Sequence, residues 1–323
     1  MRVPPYVGGV NHRRWLPAWV VVLIAAAGCA AEEDQDPPDA APSSAAPRVE
    51  EPDTLAPDPS PEPSVPPLRR ARTPGELVDQ IVTAERAIAD PATPARALVA
   101  AGHLQQLAYR VLGTRPAWDR KVLRAVPERL VPVVSGNVAS RREFRSMHTD
   151  LSPTLPAWRI VPPAPARDLL SYYRAAEREF GVGWEYLAAI NLVETGMGRI
   201  RGTSVAGAQG PMQFIPTTWA RWGRGDINSP RDAIMAAARY LAANGFTRRG
   251  GIPGALWRYN NHSAYVRGVT LLARRMERDP RAFFGYYHWQ VYYLTTEGDV
   301  LLPEGYETTR PIPVKRWLER HPR

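Results

Sequence analysis

Apolar residues recur at the three- and four-residue spacing of one-sided helices along most of this chain. Leu77, Ile81, Ala84 and Ile88 form a first stripe, closed by Asp90-Pro91. The same spacing predicts helices over 98–112 and 122–134, with Pro116, Pro127 and Pro132 as punctuation. Pro153, Pro156, Pro162, Pro163 and Pro165 then mark a boundary segment. A second helical block spans about 166–280, with no strand pattern interrupting it. Leu169, Tyr173, Ala176 and Phe180 stripe its first helix, which Gly181 closes; Trp184, Leu187, Asn191 and Glu194 share a face of the next. Ser229-Pro230-Arg231-Asp232 reads as a capping box opening a helix striped by Ile234, Ala238 and Leu241. Ser263 is the expected cap of a helix striped by Tyr265, Val269, Leu272 and Met276. Residues 290–296 and 300–302 flank Glu297-Gly298-Asp299 as a β-hairpin.

The fold class expected is therefore mainly α. A helical module (73–150) precedes a helical domain (151–285), and a small C-terminal hairpin with a basic tail (286–323) follows. The 73–150 module shows no chemistry and reads as packing.

The first 72 residues differ in kind. Arg2, His12, Arg13 and Arg14 precede an apolar run from Trp15 to Ala27, which ends in Ala26-Ala27-Gly28-Cys29. This is the order of a secretory signal over 1–28, too short to span a membrane. The small-small-Cys ending resembles a bacterial lipobox, in which Cys29 becomes a lipidated N-terminus; the competing reading is an uncleaved anchor or a plain signal peptide. Cys29 is the only cysteine, so the folded part carries no intramolecular disulfide. Eleven of the 34 prolines fall between Cys29 and Pro67. With ten acids against Arg48, they predict a disordered acidic tether over 29–72.

That acidic stretch hides the charge of the remainder. Residues 64–323 carry 37 bases against 22 acids, a net of +15 within a whole-chain value of +9. A cationic body points to a polyanionic partner. Export argues against nucleic acid and for an anionic cell wall.

Glu194 is the odd residue on its helix. It lies on the face expected to be buried, where desolvation keeps a carboxyl protonated and fit to donate a proton near neutral pH. The competing reading is a glutamate paired with Arg199 or Arg201. Gly196 and Gly198 end the helix, leaving Glu194 at the lip of the loop 202–216. Ser204, Gln209 and Gln213 in that loop offer uncharged hydrogen-bonding groups suited to sugar hydroxyl and N-acetyl groups. Tyr259 has a hydroxyl within expected reach of Glu194, and Asn260 could hold an amide. The loop follows no strand, so a dinucleotide site is excluded.

Glu194-Thr195, the run Gly207-Ala208-Gln209-Gly210-Pro211-Met212-Gln213 and Tyr259-Asn260 resemble, in order and spacing, the three signature motifs of lytic transglycosylases. The run from Ser204 to Pro216 is nearest to the membrane-bound branch. The resemblance covers about 166–280 and implies a lysozyme-like fold. It implies Glu194 as acid and then base, with Ser204, Gln209, Met212, Gln213, Tyr259 and Asn260 in the sugar site. Met212 would touch substrate through its apolar side chain. No metal or cofactor is implied, peptidoglycan glycan strands are the partner, and a monomer is expected.

Glycosidases that retain or invert configuration use two carboxylates. Only one is well placed here; Asp226, the next candidate, sits in a Gly-Asp-Ile-Asn run that reads as turn chemistry. One carboxyl suffices for a lyase, which protonates the leaving oxygen and then deprotonates the muramic 6-hydroxyl to close a 1,6-anhydro ring. A hydrolytic muramidase of the same fold and a non-catalytic wall-binding lipoprotein are the other readings.

Overall fold

A computed structural model describes residues 68–204 and 206–321 of the chain. The proposed signal, Cys29 and nearly all of the tether lie outside the described residues, as does Val205. The N-terminal helices are α1 (Pro74–Ala89), α2 (Ala95–Gly113), α3 (Asp119–Ala125) and α4 (Val131–Ser146). The strands β1 (Thr154–Leu155) and β2 (Arg159–Ile160) follow. A second group comprises α5 (Ala166–Phe180), α6 (Trp184–Thr195), β3 (Ile200–Arg201), α7 (Pro216–Trp222), α8 (Pro230–Ala243), α9 (Ile252–Tyr259), α10 (Ser263–Arg278) and α11 (Ala282–Tyr287). The chain closes with β4 (Val291–Thr295), β5 (Gly298–Leu302), β6 (Ile312–Pro313) and α12 (Val314–Arg320).

The mainly α architecture follows the stripes. Leu77, Ile81, Ala84 and Ile88 are all buried on α1. The Thr73 side chain caps that helix by accepting from Glu76 N at 3.2 Å. The predicted helix over 122–134 is instead two. Val126 is extended before Pro127, which disfavours the helical region for the residue ahead of it, and α4 begins afresh with Pro132 in its first turn. The Ser229 cap is present, accepting from Asp232 N at 3.3 Å. The cap of α10 is His262 rather than Ser263, its Nδ1 accepting from Ala264 N at 3.1 Å.

Three apolar cores organise these elements. The central one holds the fully buried faces of α5, α6, α8 and α10 around Trp184, Tyr173, Leu187 and Phe283. A second lies among α1–α4. The third joins the hairpin β4–β5 and α12 to Leu155, Trp158 and Ile160. The Pro-rich boundary segment is therefore structured: β1 pairs with β6, and β2 pairs antiparallel with β3, matching Arg159 with Arg201 and Ile160 with Ile200. β3 is a strand inside the block expected to be wholly helical, directly before the loop expected to follow no strand. Two residues are too few to produce an alternating pattern.

The N-terminal helices are fastened to the centre by buried polar contacts. Gln106 bonds reciprocally with the backbone of Gln290, donating to its carbonyl at 2.8 Å and accepting from its N–H at 2.9 Å. Ser140 Oγ donates to the Gly268 carbonyl at 3.1 Å. Gly268 lets α4 and α10 touch, since a side chain there would run into the Phe144 ring. This docking brings α2 and α4 against the lip of α6, where the site lies.

Candidate active site

α6 delivers Glu194 one residue before the helix ends. The exit is sharp, with Gly196 at φ 60°, Met197 at φ 65° and Gly198 at φ 85°. Met197 is held in this unfavourable region by burial and by the Tyr173 hydroxyl against its sulfur at 3.6 Å. Tyr173 also donates to Asn191 Oδ1 at 2.7 Å, and Asn191 Nδ2 donates to the Pro211 carbonyl at 2.8 Å. Thr195 Oγ1 donates to that carbonyl at 2.6 Å and accepts from Gly198 N at 3.0 Å. These bonds lock the end of α6 to the loop 202–216. Within the loop, Gly210 adopts φ 73°, and a Cβ there would overlap the Ile227 carbonyl, so only glycine fits.

The Glu194 carboxyl opens on one side to a cavity of about 260 Å³ and is packed by protein elsewhere. Its contact is a hydrogen bond donated by the Tyr265 hydroxyl to Oε1 at 2.8 Å. Among the described residues no cation pairs with it: Arg199 turns away to the Tyr287 carbonyl at 3.1 Å, and Arg201 to the Asn228 carbonyl at 3.2 Å. The paired-glutamate reading is thereby overturned. Burial pushes the Glu194 carboxyl up to about 7, against the smaller downward pull of the Tyr265 bond. Near neutral pH both protonation states are populated, as a group that first gives and then takes a proton requires.

Tyr259 does not reach Glu194 as expected. Its hydroxyl donates to the Met212 carbonyl at 2.7 Å, and its ring stacks parallel to Tyr265 with centroids 6.5 Å apart. Tyr259 thus ties the loop to α10 while Tyr265 makes the acid contact. The signal for Tyr265 was present in its stripe: a tyrosine at a fully buried position needs a partner for its hydroxyl.

Comparison with known proteins bears on residues around this carboxyl. Residues 202–253 match the family described as "Transglycosylase SLT domain". Over 122 residues the chain is 29% identical to the "Membrane-bound lytic murein transglycosylase F" of Thiobacillus denitrificans. That alignment covers 36% of this chain and 26% of the relative, so the chain spans about a quarter of the relative's length. No solved structure matches. Residues 202–253 are thus similar to a transglycosylase SLT domain.

The residues expected around the site separate into two groups. Glu194 and Asn260 line the cavity, and Asn260 is buried. Ser204, Gln209, Met212 and Gln213 do not line it. The Ser204 hydroxyl accepts from Ala208 N at 3.0 Å, closing a turn. Gln209 and Phe214 exchange both backbone bonds, at 2.9 and 3.0 Å, and Gln213 donates its amide to the Gly210 carbonyl at 3.1 Å. The expectation that the Met212 side chain touches substrate is corrected: it is fully buried in the central core, and only its carbonyl serves the site, through Tyr259. Asp226 accepts from Asn228 N at 2.9 Å, the Asx turn read from sequence.

The opposite wall was not anticipated. Arg110 of α2, Arg141 and Phe144 of α4, and His148 just beyond it line the same cavity. Tyr292 of the hairpin joins them, while its neighbour Tyr293 packs edge-on against Trp158 at 5.4 Å. The module read as packing therefore forms one wall of the cleft. Among the described residues no helix is long and apolar enough to cross a membrane, and no His, Cys, Asp and Glu cluster has the makings of a metal site.

Proposed function

We propose that this protein is a lytic transglycosylase that cleaves the β-1,4 bond between MurNAc and GlcNAc in peptidoglycan, with Glu194 as acid and then base. The observation that carries this reading is the Glu194 carboxyl, buried at the lip of a cavity, without a cationic partner and held by Tyr265. Protonated Glu194 gives its proton to the leaving glycosidic oxygen. The carboxylate left behind takes the proton of the muramic 6-hydroxyl, which closes on the anomeric carbon as a 1,6-anhydro ring. Tyr265 steadies the charged state between the two transfers. Tyr259 and Asn191 act at one remove, fixing the loop and the end of α6.

The lyase outcome rests on the shortage of carboxylates, since hydrolysis by either two-carboxyl route needs a second one. The other carboxyl lining this cleft among the described residues is Asp150, exposed at its outer part. Digestion of sacculi followed by mass spectrometry tests the reading. Muropeptides lacking one water are expected from the parent, no products from Glu194→Gln, and unchanged products from Asp150→Asn. Reducing ends that vanish in Asp150→Asn identify a hydrolase instead, and lysis by Glu194→Gln at the parent rate defeats the assignment.

Export and lipidation at Cys29 complete the proposal: the anchor and the acidic tether would carry the cationic body from the membrane surface to the wall. Membrane fractionation of the parent and of Cys29→Ala tests this, with loss of membrane association expected in the variant.

A further inference from the structure

Deepening that functional reading, we infer that the recess between α4 and the hairpin binds a carboxylate carried by the muramic residue of the substrate, with Arg141 as its principal ligand. Arg70, Arg110 and Arg141 converge on one partly buried acid, Asp299 at the start of β5. Arg110 takes both Asp299 oxygens, with Nη2 to Oδ1 at 2.8 Å and Nε to Oδ2 at 2.9 Å. It also lies over the Tyr292 ring at 4.4 Å, and Tyr292 is itself fixed by a 2.8 Å bond between its hydroxyl and His103 Nε2. Arg70 reaches the Asp299 backbone carbonyl at 3.3 Å. Asp299 is thus taken up by Arg110, and Arg141 keeps only long contacts to it, at 3.4 and 3.5 Å.

Arg141 is consequently the more loosely paired of the two arginines on Asp299. Its Nε is buried and makes no hydrogen bond. Burial and the neighbouring Arg110 push its pKa down to about 10, which leaves it charged at neutral pH. A partly buried, loosely paired guanidinium gains from a ligand anion that adds a second partner. Arg141 lines both adjoining cavities that Glu194 lines, so an anion held there shares the cleft with the bond being cut. His148 beside it is pushed below its ordinary pKa by burial and the nearby arginines, so it does not add a second full charge. Two acids line this recess among the described residues, Glu194 and the exposed Asp150 at its outer part, alongside Arg110 and Arg141.

A planar carboxylate matches the guanidinium fork. Peptidoglycan offers it in two forms. The lactyl group of a stripped glycan ends in a free carboxylate, and in a substituted strand that group is amidated while the peptide stem carries its own. Neutral N-acetylglucosamine units have neither.

The test compares initial rates on intact sacculi and on peptide-stripped glycan, each before and after carbodiimide amidation of its carboxylates. Amidation is expected to raise the parent's KM about tenfold, the worth of one charge-assisted contact, with little change in kcat. The arm showing the larger effect identifies the lactyl or the stem carboxylate as the ligand. Arg141→Gln should cut this discrimination to about twofold, and Arg141→Lys should retain part of it, each with a circular dichroism spectrum like the parent's. Should Arg141→Gln not fold, the parent's own ratio and that of Arg141→Lys decide. Equal rates on native and amidated substrate overturn the inference while leaving the lyase reading intact. A parent that lyses no sacculi overturns both.

Discussion

The Tyr265 hydroxyl, projecting from α10, donates a 2.8 Å hydrogen bond to Glu194 Oε1 at the end of α6. Two helices packed through the central core thereby set the protonation of the proposed acid from opposite directions. Burial raises its pKa and the tyrosine lowers it.

Removing that hydroxyl should move the pH profile in a definite direction. In Tyr265→Phe the lowering influence is lost, so the limb of kcat/KM that falls as Glu194 deprotonates shifts upward from about pH 7. The carboxylate needed as base also loses its donor, and kcat should fall about tenfold or more. A pH–rate series on soluble glycan fragments measures both. An unmoved limb would mean that Glu194 does not control it.

Glu194 also makes stability depend on pH. Its folded-state pKa of about 7 lies above the ordinary carboxyl value of 4.5, so the folded protein binds the proton more tightly than the unfolded chain. Folding stability therefore falls as pH rises from about 4.5 through 7 and stays low above. Glu194→Gln removes this term and should be stabilised at pH 8 by up to about 3 kcal/mol, with little change at pH 4. Thermal melts of both proteins at the two pH values provide the check.

Asn191 should behave as a structural keystone. Fully buried, it accepts from Tyr173 and donates to the Pro211 carbonyl. Asn191→Leu leaves the Tyr173 hydroxyl without its oxygen acceptor and the Pro211 carbonyl with the Thr195 bond alone, and should cost roughly 1–3 kcal/mol, read from denaturant unfolding. Activity at low temperature should fall as well, because the end of α6 loses its tie to the loop.

Gly210→Ala is expected to destabilise the loop by about 1–3 kcal/mol or more, since φ is positive and the added methyl meets the Ile227 carbonyl. Local hydrogen exchange across 202–216 should rise ahead of any global loss of structure. Unchanged protection there would rule out the strained turn.

Much of this was legible in the order of residues because its causes are local. The stripes of α1, α5, α6 and α10 follow from a 3.6-residue period, the Ser229 cap from one side chain meeting a nearby N–H, and Glu194 from a carboxyl on an apolar face. Helix geometry converts such spacing into burial without knowledge of the rest of the chain. The hairpin of β4 and β5 was readable for the same reason, a turn between two alternating runs.

What the sequence left undecided depended on partners far along the chain. Whether Tyr259 or Tyr265 meets Glu194 turns on how α9 and α10 pack, six residues apart on different helices. Ser204, Gln213 and Met212 had chemistry suited to a sugar, yet the loop uses the first two for its own turns and the core takes the third. No local pattern singles out Arg110 and Arg141 in the sequence; docking of α2 and α4 onto the hairpin encloses them beside Asp299. By itself the sequence determined the helices, their caps and the carboxyl at a helix end, all set by interactions within a few residues. Tertiary structure alone decided that carboxyl's donor and the cationic wall it faces, because both are made by side chains brought together from as far apart as Arg70 and Asp299.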